Sequence, residues 1–349
     1  MSDLQQSAAV MPDDVLISVR NLKKYFPITA GWLRKEIGTV KAIDDVSLDI
    51  RKGETFGLVG ESGSGKSTVA RLMLRAYTLT DGSILFRRDS GDVVDISNLN
   101  ERQMREMRRE MQMIFQDPYS SLNPRMNLLE LVGEPLVIHG VGSQADIRDR
   151  VAELLKVVGL RPEFLLRYPH AFSGGQRQRI GIARALALNP SFIAADEAVS
   201  ALDVSVAAQN INLLQDLQEQ FGLTYLFITH DLGMVEHIAD RIGVMYLGRL
   251  MEIADTDDLF ARPLHPYTEA LMASVPQPDP RGNRTRKRVP LKGEIANPAN
   301  PPAGCTFHPR CPYAQERCRT EVPALRQIAD GRQARCHFAG ELDLAGVAA

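Results

Sequence analysis

Eight consecutive residues, Gly60-Glu61-Ser62-Gly63-Ser64-Gly65-Lys66-Ser67, carry the plainest chemistry in the chain, with Thr68 directly after them. They match G-x-x-x-x-G-K-[ST] in full. Glycines let a backbone wrap closely around a phosphate, and N–H groups at a helix start present partial positive charge to it. Lys66 is expected to reach the β- and γ-phosphates of a bound nucleotide, and Ser67 to offer a hydroxyl to Mg²⁺. A glycine-rich turn that binds nothing would look similar in isolation. Here an apolar strand, Thr55 to Val59, precedes the run and the helical pattern KSTVARLMLRAY follows it, which is the context the motif requires.

Four other short stretches hold reactive side chains. Phe192 to Ala195 runs into Asp196 and Glu197, an apolar strand ending in two carboxylates. Thr229-His230-Asp231 ends another apolar strand, Phe172-Ser173-Gly174-Gly175-Gln176 precedes a long helical run, and Ser200-Ala201-Leu202-Asp203 lies between. Taken singly, each has a bland reading: a solvated strand rim, a satisfied histidine, a turn. The cysteines Cys305, Cys311, Cys318 and Cys336 are spaced C-x5-C-x6-C-x17-C, with none before them. Such clustering suggests a shared ligand, yet the spacing fits neither the paired C-x2-C of a zinc ribbon nor the common ferredoxin runs. The chemistry leaves open a four-thiolate cluster, a zinc site drawing on His308 or His337, or unpaired buried thiols.

The elements that must position these residues can be read from periodicity. Val15 to Ile50 alternates apolar and polar residues, as an antiparallel β region with a loop around Pro27 to Gly38. Glu101 to Ala187 is mostly helical in pattern, broken by the turn-forming DPYSSLNPR and by YPH. Ser191 to Ala195 and Thr224 to Thr229 suit buried parallel strands, with a helix over Ala207 to Gln220 between them. Strand and helix alternating in this way predict an α/β sheet covered on both faces. Composition shifts near Arg262: most of the prolines, all four cysteines and the basic run Arg281 to Arg288 follow it.

Of 349 residues, 44% are hydrophobic and 24% charged, a globular composition sufficient for one large domain and a smaller appendage. A formal charge of −2 gives no global basic field, so no nucleic-acid partner is expected, and Arg281 to Arg288 reads as a solvated linker. The start of the chain lacks the order of a secretory signal, and no apolar run is long enough to span a bilayer. A soluble chain is expected, with any membrane-spanning part supplied by another polypeptide.

Taken together and in order, these motifs resemble the nucleotide-binding subunit of an ATP-binding-cassette transporter, over about Val15 to Asp255. The resemblance implies a P-loop NTPase (RecA-like) core with an antiparallel β subdomain and an inserted helical subdomain at about 117–185. The cassette would occupy 15–260, and a small cysteine-bearing C-terminal extension 261–349. It implies ATP and Mg²⁺ as ligands, with Asp196 and Ser67 on the metal and Glu197 as general base for the attacking water. His230 would contact the γ-phosphate, and Gln116, in MIFQDPYSSLNP, would sense Mg²⁺ through its amide oxygen. Tyr25 would stack on adenine, with Phe26 as the neighbouring alternative. Ser173, Gly174, Gly175 and Gln176 would close over the nucleotide of a second cassette bound head to tail, and Asp203 would lie across that interface. Ala198 stands where the family usually has proline, which frees the turn carrying Glu197.

YFPITAGWLRKEIGTVKAIDDVS, FQDPYSSLNPR and RPLHPYTEAL resemble the oligopeptide and dipeptide importer branch, which also holds nickel and glutathione importers. The length of the first insertion is most like the "F" member of that branch's cassette pair. The implied partners are a second, different cassette subunit, two transmembrane permease subunits and, indirectly, an extracytoplasmic binding protein. The implied location is peripheral, on the cytoplasmic membrane face. GEIANPANPPAGCTFHPRCPYAQERC is similar to the branch's C-terminal region, in which four cysteines are associated with a [4Fe–4S] cluster. The competing classes are a soluble cassette ATPase of DNA repair or translation and a regulator that binds ATP without hydrolysing it. One cassette without a heptad insertion argues against the first, and the presence of Glu197 and His230 against the second.

Overall fold

The computed structural model describes residues 11–32, 35–274, 293 and 296–346; the basic run Arg281 to Arg288 lies outside them. In chain order, the first strands are β1 (Val15–Ala30) and β2 (Lys35–Arg51), hydrogen-bonded neighbours in one sheet, then β3 (Thr55–Val59) and helix α1 (Lys66–Met73). There follow β4 (Asp81–Arg87), β5 (Val93–Asp95), α2 (Glu101–Met107) and β6 (Met111–Ile114). Helices α3 (Leu128–Ile138), α4 (Gln144–Val157) and α5 (Gly174–Ala185) come before β7 (Phe192–Asp196), α6 (Val204–Phe221) and β8 (Thr224–Thr229). The chain continues through α7 (Leu232–Ile238), β9 (Arg241–Tyr246), β10 (Arg249–Asp255), α8 (Thr256–Ala261) and α9 (Pro266–Ala273). Beyond them lie α10 (Glu316–Thr320), β11 (Arg326–Ala329) and β12 (Arg332–Ala334).

The described residues form two compact units. The first contains the chain up to Ile17, Ile50–Glu54 and Leu85–Ile228; the second contains Ser18–Asp49, Thr55–Ile84 and everything from Thr229. In the first unit β6, β7 and β8 pair in parallel, Ala194 lying opposite Met113 on one side and Leu226 on the other. Every residue of β7 and β8 is buried. Runs such as Phe192 to Ala195 and Tyr225 to Ile228, hydrophobic at every position, suit strands covered on both faces rather than one. Helix α3 packs against α4 and α5, and α5 also against β6 and α6. The starts of α3, α4 and α5 are each fixed by a capping box: Asn127 with Glu130, Ser143 with Asp146, Ser173 with Gln176. Each box satisfies two N–H groups that a helix start would otherwise leave open.

In the second unit β3 pairs in parallel with β9, and β9, β10, β12 and β11 follow in antiparallel order. Glu252 of β10 lies opposite Ala334 of β12, so the segment after Arg262 adds strands to this sheet. Helix α7 packs on β3 and α8, and both α8 and α9 pack on β10.

Two elements differ from the sequence expectation. The loop expected over Pro27 to Gly38 is narrower, because β1 continues to Ala30 and β2 begins at Lys35. The alternating, β-branched pattern of FPITA sustains pairing past the proline, which is exposed. Strand β6 interrupts the stretch read as helical; four apolar-rich residues between helices carry no breaker of their own.

Candidate functional site: phosphate loop, carboxylates and a cysteine cavity

The phosphate loop joins β3 to α1 in the second unit, and its shape depends on glycine at two positions. Gly60 and Gly65 have φ of 152° and 107°. A Cβ on Gly60 would stand 2.2 Å from the Met245 carbonyl oxygen, and one on Gly65 would stand 2.6 Å from that of Ala42. A side chain at either place would meet backbone that cannot give way. The Lys66 ammonium is buried, donating to the carbonyls of Gly60 at 2.7 Å and Glu61 at 3.1 Å. It is therefore held inside the curl of the loop. The Ser64 hydroxyl is buried there without a hydrogen-bond partner, and Ser67 and Thr68 are half-buried on the first turn of α1. A hydroxyl of this kind, a lysine in the curl and a wrapped glycine backbone fit a phosphate ligand.

Glu61 is held at three further points. Its N–H donates to the Tyr267 hydroxyl at 3.0 Å, and its carboxylate accepts both Arg310 nitrogens, at 2.7 and 3.0 Å. That hydrogen-bonded carboxylate raises the Arg310 guanidinium above its ordinary value. Tyr246, Tyr267 and Phe307 form an aromatic cluster with ring centroids 4.8 to 5.4 Å apart, and the Arg310 guanidinium lies 5.7 Å from the Tyr246 ring centre. Sequence reading passed over Arg310, Tyr267 and Phe307. Arg310 stands 249 positions from its partner, and no local pattern marks the pair.

Tyr25 is half-buried in the same unit. Its hydroxyl donates to Asp44 at 2.6 Å, Asp44 also accepts Arg249 at 2.6 Å, and the Lys41 ammonium lies 5.6 Å from the ring centre. Burial, with the bond to Asp44, pushes the Tyr25 phenol up to about 12. Phe26 instead meets Tyr77 edge-on at 5.7 Å. His230 is exposed just beyond β8, while Asp231 caps α7 by accepting N–H groups from Gly233 and Met234.

Asp196 closes β7 in the first unit and is buried; Glu197 follows with φ of 47°. Left-handed backbone is uncommon outside glycine and costs energy unless its surroundings fix it. Here the Glu197 N–H donates to Ile228 at 2.9 Å, and the Glu197 carbonyl accepts both the N–H and the hydroxyl of Ser200. Those bonds pin the turn although Ala198, not proline, comes next. The Gln116 amide nitrogen donates to the Glu197 carboxylate at 2.6 Å, so two residues 81 positions apart meet.

Ser173 caps α5, with Ser173 and Gln176 exposed and Gly174 and Gly175 half-buried. A Cβ on Gly175 would reach Val206 at 2.4 Å, so glycine here lets α5 approach α6 closely. Asp203 precedes α6 as its N-cap and is exposed.

All four cysteines line one cavity, together with His265, Phe307, His308, His337 and Phe338. Three local segments bring them there. The turn before and after His308–Arg310 carries Cys305 and Cys311, α10 carries Cys318, and the chain leaving β12 carries Cys336. The Cys305 N–H donates to the Cys318 carbonyl at 2.8 Å, closing the loop between them. No disulfide joins any of the four. Burial, reinforced by the neighbouring cysteines, pushes the Cys311 thiol up to about 12 and Cys336 to about 11. Of the zinc alternatives, His308 engages the Cys305 carbonyl through Nδ1 and His337 the Glu321 carbonyl through Nε2. Among the described residues no three His, Cys, Asp or Glu are grouped to hold a metal ion.

The chain matches two family models: ABC transporter over residues 43–200, and oligopeptide/dipeptide transporter, C-terminal region, over 251–318. It is 53% identical over 326 residues to the oligopeptide transport ATP-binding protein AppF of Bacillus subtilis, covering 93% of this chain and 98% of that protein. It is also 53% identical to the probable peptide ABC transporter ATP-binding protein y4tS of Sinorhizobium fredii, covering 93% and 90%. Among solved structures it is similar to the dimeric cassette MJ0796 in a post-hydrolysis state bound to ADP and phosphate. That likeness has a TM-score of 0.60 and 30% identity, over 69% of this chain and 99% of that one. With full-length relatives above half identity and both models matched in order, this chain belongs to the ABC transporter family, as an ATP-binding subunit of the oligopeptide/dipeptide transporter type.

Proposed function

We propose that the chain is the ATP-hydrolysing motor of a membrane importer for di- and oligopeptides. The hydrogen bond from Gln116 to Glu197, beside a buried Asp196 at the end of β7, is the observation that carries the hydrolytic reading. It puts the intended base under the control of a residue on a separate loop. The peptide substrate rests on the names of the relatives and on the C-terminal match.

In this reading the cassette spans 15–260, with its helical subdomain at about 117–185, and the extension spans 261–349. Lys66 exchanges the Gly60 and Glu61 carbonyls for β- and γ-phosphate oxygens, and the Gly60 to Ser67 backbone supplies further N–H donors. Ser67, Asp196 and the Gln116 amide oxygen would be the residues to hold Mg²⁺, which would supply positive charge to the phosphates. Glu197, released by Gln116, orients water and accepts its proton, and His230 steadies the γ-phosphate. Tyr25 stacks on the adenine. Ser173 to Gln176 and Asp203 serve the nucleotide of a second cassette, and two membrane subunits receive the motion of closure. No described helix is long and apolar enough to cross a membrane. The family membership supports a motor docked peripherally on the cytoplasmic face, against membrane subunits. In the extension, Cys305, Cys311, Cys318 and Cys336 would hold a [4Fe–4S] cluster. Four thiols lining one cavity support a shared ligand for the cysteines, and the cluster itself rests on the likeness of this segment to the branch's C-terminal region.

Glu197→Gln keeps the hydrogen-bonding shape and removes the base. ATP binding should persist while kcat falls by about 10²–10⁴-fold, with the ATP-bound form accumulating as a dimer. Turnover left at the wild-type rate would exclude Glu197 as the base.

A further inference from the structure

The phosphate loop is fastened to the cysteine-bearing segment, and the fastening is specific. Glu61 occupies a variable position of the loop motif, where no phosphate chemistry is required of its side chain. Its carboxylate is nonetheless gripped by both terminal nitrogens of Arg310, whose side chain is 5% exposed. A paired, planar guanidinium fixes both the distance and the orientation of a carboxylate, which a single ammonium does not. The Tyr267 hydroxyl holds the same residue by its backbone N–H. Lys66 holds the Glu61 carbonyl, but only until it turns to a nucleotide. From then on, Tyr267 and Arg310 are the anchors of Glu61 that do not depend on Lys66.

Arg310 is itself set by the segment that carries the cysteines. It closes the short turn His308–Arg310, its N–H donates to the Phe307 carbonyl at 3.0 Å, and Cys311 follows directly. Phe307 packs against both Tyr246 and Tyr267, so one aromatic cluster seats the arginine and the tyrosine that grip the loop.

We propose that Arg310 is a positioning residue for ATP: through Glu61 it braces the phosphate loop, and so couples ATP affinity to the folded C-terminal segment. The proposal rests on the ATP-site reading above. Both terminal nitrogens of Arg310 are taken up by the Glu61 carboxylate, so the brace acts through the loop and bears on the bound ground state and the transition state alike. Its loss should therefore weaken binding without slowing the chemical step.

The test compares Arg310→Ala, Arg310→Lys, Glu61→Gln and Arg310→Ala/Glu61→Gln in the full chain. It measures the Kd of a fluorescent ATP analogue, KM and kcat for ATP, and Tm. Arg310→Ala is expected to raise Kd and KM about tenfold, the loss of one charge-assisted contact, with kcat at saturation little changed. Arg310→Lys should recover part of the affinity, and the double variant should be no worse than Arg310→Ala. If Arg310→Ala fails to fold, Glu61→Gln carries the test, since it keeps the arginine and loosens the same pair. A folded Arg310→Ala or Glu61→Gln with unaltered KM overturns the brace, as does a fall in kcat at unchanged KM. Lys66→Ala separates the two layers of argument. If it binds nucleotide like the wild type, the ATP-site reading fails; if it does not, an unchanged KM in Arg310→Ala counts against the brace alone.

Discussion

His265 is 1% exposed and acts as a cap: its Nδ1 accepts the Tyr267 N–H at 2.9 Å at the start of α9. Only the neutral ring can do this. Burial drives its value down to about 3, while the unfolded chain titrates near the ordinary 6.5. The unfolded state thus binds the extra proton between those limits, and stability is lost as pH falls from 6.5 towards 3. Just beside it, burial pushes Glu252 up to about 7, although its oxygens accept the N–H groups of Leu264 and His265. A carboxyl raised in this way works in the opposite sense: between about 4.5 and 7 it costs stability as pH rises. The two slopes overlap, so the informative quantity is a difference. His265→Gln keeps an acceptor for Tyr267 and cannot titrate. From pH 6.5 down to 4 its unfolding free energy, read from urea melts, should fall less steeply than the wild type's, by up to about 1.4 kcal/mol per pH unit. Parallel curves would show that His265 is already charged in the folded protein.

At the scale of elements, legibility followed burial and continuity. Strand β8 was readable at its full length because Tyr225 to Ile228 is a continuous hydrophobic run between threonines, and β3 because Phe56 to Val59 is a similar run behind Thr55. The phosphate loop, the Asp196–Glu197 strand end and the start of α5 were readable because each is made within a few neighbouring residues. Strand β6 was hidden between helices, and the grip of Arg310 on Glu61 had no local signal at all. Sequence could count the cysteines but not place them. Their shared cavity depends on β12 pairing with β10 and on the Cys305–Cys318 backbone bond, which draw three short segments to one point. A cluster there makes a direct prediction. Protein purified without air should contain iron and acid-labile sulfide in matching amounts, and Cys318→Ser should lose both. Zinc without iron would remove the cluster reading, and neither metal would leave plain buried thiols.

For the whole molecule, the decisive question is what completes the nucleotide site. The phosphate loop is bonded and shaped by its own unit, with Lys66 and Ser64 buried in it, whereas Ser173 and Gln176 stand exposed at the start of α5 with their capping box already satisfied. A helix start that needs no further internal partner, and points N–H groups outward, is suited to an anion carried by another molecule. Head-to-tail pairing would meet that need twice over, each chain lending its α5 to the other's ATP. Binding and turnover should then separate. Ser173→Arg leaves the phosphate loop untouched and sacrifices a cap worth about 1 kcal/mol, so it should bind ATP with wild-type affinity and fold normally. It should nevertheless lose hydrolysis, because the bulky cation blocks closure over the partner's nucleotide. Wild-type turnover per chain should also rise with chain concentration at saturating ATP. If Ser173→Arg hydrolyses ATP like the wild type, and turnover per chain is flat on dilution, one chain must build a complete site alone. Closure of a dimer would then not be the step that a membrane partner harnesses.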